Sequence, residues 1–205
     1  MRKKITVARC YNYYFYLKLC VIRIFSTAYC RFFFRFLGIR LKKGSIFYGI
    51  PLVSLFPGSV INIENNLRIR TSRISNFIGL NRRSTISTHS QTAEIIIGNN
   101  CAFSAIVIGA RESIRIGNDV MVGANVLITD FDWHSMRPDE RQHGVPASRP
   151  IVIADNVFIG YSATILKGVS IGENSVIGAN SVVTKDIPAN VIAAGNPCRV
   201  IKAIT

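Results

Sequence analysis

The chain has 205 residues, room for one sizeable domain or a domain with an appendage but not for two large ones. With 49% apolar and 18% charged residues, it excludes a wholly disordered or fully polar polypeptide. The net charge of +14 is unevenly spread: eleven of the 25 Lys and Arg fall within positions 1–43, no acidic residue precedes Glu64, and the remainder is nearly neutral. The basicity therefore belongs to an N-terminal arm and describes little of the main body. Five scattered cysteines, Cys10, Cys20, Cys30, Cys101 and Cys198, form no CxxC pair and have no neighbouring His, so neither a zinc site nor a disulfide scaffold is expected. A reducing, cytoplasmic setting fits them.

The arm, residues 1–44, holds most of the aromatic side chains, and Arg9, Lys18, Arg23, Arg31 and Arg35 interrupt every apolar stretch. A spanning helix needs about 20 apolar residues without charge, so a membrane span is not expected, and the interrupted apolar run is also a poor secretory signal. Arg23, Thr27, Arg31 and Arg35 recur every fourth residue and stack along one helical face, while Val21, Ile22, Phe25, Tyr29, Phe32, Phe33 and Phe36 cover most of the rest. Two readings stand: an amphipathic helix lying on an anionic membrane surface, the inner face of the cytoplasmic membrane, through residues 1–43, or aromatics packed onto the body or a second subunit with Arg solvated outside. No nucleic-acid-binding motif accompanies the charge, and nucleic acid is not expected as a partner.

Beyond the arm the chain has a period that neither a helix nor an ordinary strand explains. Aliphatics recur every six positions at Ile153, Ile159, Ile165, Ile171, Ile177 and Val183, and four places after each comes Val157, Ala163, Val169, Ser175, Ser181 or Ile187. Earlier members are Ile116, Val122 and Ile128, then Ile97 and Phe103, with Ile63 and Ile78-Gly79 as degenerate ones. Three such units close a triangular coil, each giving a short strand and a corner, and stacked coils form parallel ladders around a column of aliphatics. The repeat is expected to break once. From Ile128 to Ile153 the spacing is 25 positions, and the interior holds the chain's Trp and two of its three histidines with almost no aliphatic. A segment unable to fill the prism projects from it as a loop, here 129–150.

The stretch Ile159-Gly160-Tyr161-Ser162-Ala163-Thr164-Ile165 through Gly172, together with Val183-Thr184-Lys185-Asp186-Ile187-Pro188 and Ala194-Gly195-Asn196-Pro197-Cys198-Arg199-Val200-Ile201-Lys202, resembles the hexapeptide-repeat acyltransferase family. The resemblance is to its galactoside and maltose O-acetyltransferase branch, and especially to relatives that decorate bacterial surface polysaccharides. It implies an all-β fold: a left-handed parallel β-helix of hexapeptide repeats over 45–188, with a projecting loop, the N-terminal helical arm and a closing segment at 189–205. It also implies acetyl-CoA as acyl donor, no metal, direct transfer to a saccharide hydroxyl, and a homotrimer with each site between two subunits. The arm suggests that the acceptor is lipid-linked, a precursor of O-antigen, capsule or exopolysaccharide.

Such chemistry needs a base, because an alcohol is a poor nucleophile until its proton leaves, and imidazole titrates near neutrality. His134, in Asp130-Phe131-Asp132-Trp133-His134, resembles the family's catalytic histidine. Asp130 or Asp132 orients the ring or holds an acceptor hydroxyl, and Trp133 can stack on a sugar face. The resemblance places the Tyr161 amide as oxyanion donor, and Ala179, Thr184, Lys185, Arg199 and Lys202 along the coenzyme channel. For Lys185, Arg199 and Lys202, attraction to phosphate is an independent reason. Ser104 falls where the galactoside branch has a substrate-binding asparagine, so acceptor contacts differ there. Nothing carries over at Arg111–Glu112, where the spacing is one residue short. His143 is loop surface or a substrate contact, His89 is expected to face solvent, and Cys198 to pack rather than react. Three readings compete: a γ-type carbonic anhydrase, which three lone histidines without an H-x4-H pair fit poorly; an acyltransferase for small molecules such as an antibiotic, amino sugar or serine; and a non-catalytic scaffold.

Overall fold

The computed structural model describes residues 6–204. Free of Gly and Pro, residues 6–37 support one long helix, α1 (Val7–Phe36). It stops at Gly38, whose φ of +75° lets the amides of Gly38 and Ile39 turn back onto the carbonyls of Arg35 and Phe34.

The rest of the chain winds into a three-sided prism of short parallel strands. The registers align one inward column per side. The first side carries Leu41, Ile63, Ile97, Ile116, Ile153 and Ile171. On the second are Phe47, Ile69, Phe103, Val122, Ile159, Ile177 and Ala193. Val53, Ile86, Ile108, Ile128, Ile165 and Val183 line the third. The six-residue period thus marks successive sides, and its second slot, Val157 to Ile187, is buried as well. Among the described residues one strand runs antiparallel: Arg199–Ala203 folds back on Val191–Ala194 and closes the second side.

Corners need backbone that L-residues seldom adopt, and asparagine tolerates it best after glycine. Asn66, Asn100, Asn156, Asn174 and Asn190, with Asp119, all take positive φ at the edge between first and second sides. Their side chains bond coil to coil, Asn156 to Asn174 and Asn174 to Asn190 each at 2.9 Å, so the edge is itself a hydrogen-bonded ladder.

Two findings depart from expectation. The repeat breaks twice, not once: between Ile69 and Ile86 the chain leaves the prism over 71–84, with a 3-10 turn at Arg73–Ser75. Ile78 belongs to this excursion and is exposed, so Ile78-Gly79 is not a repeat member. The second departure concerns α1, whose face toward the prism bears Ser26, Cys30 and Phe34, with Phe34 edge-on against Phe47 at 5.5 Å. Thr27 accepts from the Phe47 amide, Ser26 accepts from the Gly49 amide, and Arg31 donates to the Ser45 carbonyl. Part of the polar stripe therefore faces the body, whereas Phe25, Phe32 and Phe36 stand in solvent at 71–78% exposure. Phe33 and Phe34 do pack onto the chain's own body, whereas Phe25, Phe32 and Phe36 do not. No helix among the described residues is long and apolar enough to cross a membrane.

Candidate active site

Loop 130–150 leaves the end of the third side and returns to the first through Ile151–Ile153. Its root is held at two points. Asp130 is fully buried and its carboxylate accepts from the amides of Arg111 and Glu112 at 2.7 and 2.8 Å. Burial raises its pKa, the amide bonds opposing. Both oxygens point into the coil below, so Asp130 is not turned to the imidazole. Asp132, half-buried, pairs with Lys167 on the next coil.

Between them Phe131 tucks in, and Trp133, at φ +61°, folds over Gly109. A Cβ on Gly109 would approach the indole to 3.0 Å, which explains the glycine. His89 closes this cluster, its ring centroid 4.9 Å from both Phe131 and Trp133 and its Nε2 2.9 Å from Ser87 Oγ. Desolvation, then the nearby Arg111 charge, lower the pKa of His89. The expected solvent-facing His89 is thus a packed ring that braces the loop.

His134, next to Trp133, is exposed. Its Nδ1 lies 3.3 Å from the carbonyl oxygen of Arg141. A carbonyl only accepts, so Nδ1 carries the hydrogen and Nε2 is left with a free lone pair. His143 is exposed, its amide donating to the Glu140 carbonyl in the loop's turn.

Tyr161 and Ala179 stack one coil apart at the edge between second and third sides, the Asn180 amide donating to the Tyr161 carbonyl. Neither the Tyr161 nor the Ala179 amide finds a protein acceptor among the described residues. Leu80, from the 71–84 excursion, packs with Ala105, Ala124 and Tyr161 and covers this edge one coil lower. Ser104 lies on the second side and its hydroxyl accepts from Asn76 Nδ2 at 3.1 Å. Thr184 and Lys185 are exposed at the far edge, just after Val182–Val183.

Arg199 and Lys202 are three apart and would face opposite ways in a regular strand. A bulge pairs Lys202 with Ile192 and Val200 with Ala193, while Arg199 pairs with Ala194. Because Ala193 points inward, both cations share the outer face. Cys198 is buried and its thiol pKa is raised, chiefly by burial, as suits packing.

One chain brings together Asp132, Trp133 and His134 with Lys167 at one edge of the third side, and Tyr161 and Ala179 at the other. It does not join the two groups. Residues 161 and 167 bound one flat side and are separated by up to about 20 Å of extended chain. Lys167 and Asn76 are missed in the sequence, and His89 is misplaced. Lys167 had a legible signal, a lone cation in the repeat that follows the Asp130 and Asp132 carboxylates; the other two had none.

The hexapeptide-repeat pattern described as that of succinyl-transferase matches residues 94–130 and 150–185. A galactoside O-acetyltransferase of Escherichia coli (strain K12) is 49% identical over 92 residues, 45% of each chain, and the chain spans about half the length of the curated relatives it matches. Among solved structures, a maltose O-acetyltransferase from Clostridium difficile 630 is 30% identical over 89% of this chain and 88% of its own, with a TM-score of 0.51. A hexapeptide-repeat acetyltransferase of Vibrio cholerae O1 biovar eltor, complexed with acetyl coenzyme A, is 34% identical over 54% of this chain and 61% of its own, with a TM-score of 0.52.

Proposed function

Because this chain belongs to the hexapeptide-repeat acyltransferase family, whose left-handed parallel β-helix it builds, we propose that it transfers an acetyl group from acetyl-CoA to a saccharide hydroxyl. The observation that carries this reading is the free Nε2 of His134, held outside the prism by a braced loop with its tautomer set by the Arg141 carbonyl. Nε2 takes the acceptor hydroxyl's proton as its oxygen attacks the thioester carbonyl, and returns that proton to the departing sulfur as the C–S bond breaks. The unpaired Tyr161 amide donates to the carbonyl oxygen as it gains negative charge. Acetyl-CoA supplies the acyl carbon and the thiolate leaving group. Its phosphates suit Arg199 and Lys202 on their common face, while Lys185 stands at the far edge that also carries the His134 loop.

Since the His134 loop and the Tyr161 edge flank opposite borders of one flat side, we place each site between two copies of a homotrimer. The acceptor belongs to surface-glycan synthesis, and the exposed aromatic and basic face of α1 rests on the cytoplasmic face of an anionic membrane. The E. coli relative is a galactoside O-acetyltransferase, which favours a sugar over a small xenobiotic acceptor.

The test is acetyl-CoA turnover against a glycan panel for wild type and His134→Ala. Loss of a general base lowers kcat by about 10²–10⁴-fold. An effect within about threefold, with the variant still folded, rules out His134 as the base.

A further inference from the structure

The 71–84 excursion builds a groove beside the proposed acceptor site. A cavity of about 570 Å³ opens between α1 and the excursion, lined by Phe15, Tyr16, Arg23, Tyr48, Arg70 and Phe77 among others. A second, of about 210 Å³, lies on the outer face of the second side, lined by Arg68, Arg70, Asn76, Ser104, Gly123 and Phe158 among others. Arg70 and Asn76 line both, so the two cavities share a wall. The second reaches the reaction edge, because a Cβ on Gly123 would sit 2.8 Å from the Tyr161 nitrogen.

The groove's chemistry changes along its length. At the α1 end Phe15 stacks on Phe77 with centroids 5.2 Å apart. In the middle the Arg70 guanidinium is held over the Tyr48 ring at 4.6 Å and donates to the Ser75 carbonyl, which fixes its plane and leaves other N–H donors free. Arg23 faces the same cavity, and Arg68 joins Arg70 in the second. Among the described residues no carboxylate pairs with any of the three. At the far end is the Ser104 hydroxyl, which accepts from the Asn76 amide at the junction. Unpaired planar cations between an aromatic slot and a polar pocket suit an amphiphile whose anionic group sits at the junction.

We propose that the acceptor is a saccharide joined through a phosphate to an apolar chain. Its phosphate lies between Arg23 and Arg70, its chain along Phe15 and Phe77, and its sugar toward Ser104 and the Tyr161 edge. The inference rests on the acetyl-transfer reading for its substrate but can be tested apart from it.

Calorimetric titration of the full-length protein with dodecyl phosphate, inorganic phosphate and dodecyl maltoside separates the contributions. Dodecyl phosphate is expected to bind most tightly, and Arg23→Gln and Arg70→Gln each to weaken it at least about tenfold, the range for a lost charge-assisted hydrogen bond. Dodecyl maltoside should be unaffected by either substitution. Arg23 is exposed on α1 and its replacement leaves the fold intact, so Arg23→Gln decides the matter should Arg70→Gln melt early. Equal affinity for dodecyl phosphate and dodecyl maltoside, or an unchanged Arg23→Gln, overturns the proposal; tight binding of inorganic phosphate alone shows an anion site without a lipid arm and overturns it too. Phosphate-selective binding without acetyl transfer to any saccharide supports the groove and removes the acetyl-transfer reading instead.

Discussion

Asp130 and Asp132 flank Phe131, yet one is sealed under the loop and the other reaches Lys167. Their order along the chain does not reveal this, because either could follow a strand that ends at Thr129. What decides is the preceding coil, whose Arg111 and Glu112 amides lie under Asp130 and need an acceptor. Asp130→Asn turns an NH₂ toward one of those amides and is expected to destabilise the fold by about 1–3 kcal/mol, seen as a lower urea midpoint. Asp132→Asn breaks a partly exposed pair and should shift stability by about 1 kcal/mol or less. It should instead lower turnover, up to about 10²-fold, by loosening the loop that holds His134. A variant pair with these effects exchanged would reverse the two roles. His89 makes a pH prediction at the same scale. Burial and Arg111 lower its pKa from 6.5, so the fold favours the neutral ring. That stability is present above pH 6.5 and is lost as the pH falls through the lowered value. Thermal melts of wild type should decline as the pH falls from 6.5 toward the lowered value, and His89→Phe, which keeps a ring without a titrating proton, should flatten the decline.

Element by element, the column was readable where the period is unbroken, from Ile153 to Val183, because each inward slot must be apolar and each corner small. The 71–84 excursion hid because Ile74 and Ile78, four apart, with Gly79 imitate a weak repeat, although Ile78 and Gly79 stand in solvent. In α1 the periodicity correctly marked a helix but not which stripe docks. Short Ser26, Thr27 and Cys30 lie against the first coil beside Phe34, and the hydrogen bonds to Phe47 and Gly49 reward polar contacts there. Two kinds of substitution on α1 should therefore part cleanly. Phe34→Ala opens the capped end of the prism and is expected to destabilise the fold by about 3–5 kcal/mol, measured by denaturant unfolding. Phe25→Ser with Phe32→Ser removes only exposed rings and should leave melting unchanged. In co-sedimentation with vesicles containing anionic lipid, that double variant should stay largely in the supernatant while wild type pellets, and wild-type binding should weaken with salt. If the double variant pellets like wild type, the exposed face is reserved for something other than a bilayer.

At the scale of the whole molecule, stacking makes each coil depend on its neighbours, and the same regularity sorts reactive groups by edge. Every residue that follows a third-side strand emerges at one corner, so His134, Lys167 and Lys185 share it. Tyr161 and Ala179 follow second-side strands and emerge at another. The prism holds the two corners apart, so the proposed site takes the Tyr161 edge of one copy against the His134 loop of the next. Complementation tests this directly. His134→Ala retains the proposed coenzyme face, and Arg199→Glu with Lys202→Glu retains the proposed base, so each variant alone should be nearly inactive. Co-refolded in equal amounts into random trimers, an interface is competent only when the base comes from one variant and the coenzyme face from the other in the right order. About a quarter of interfaces meet that condition, and roughly a quarter of wild-type turnover should return. Sites confined to one chain would give no recovery at any mixing ratio, because every chain would carry one defect or the other.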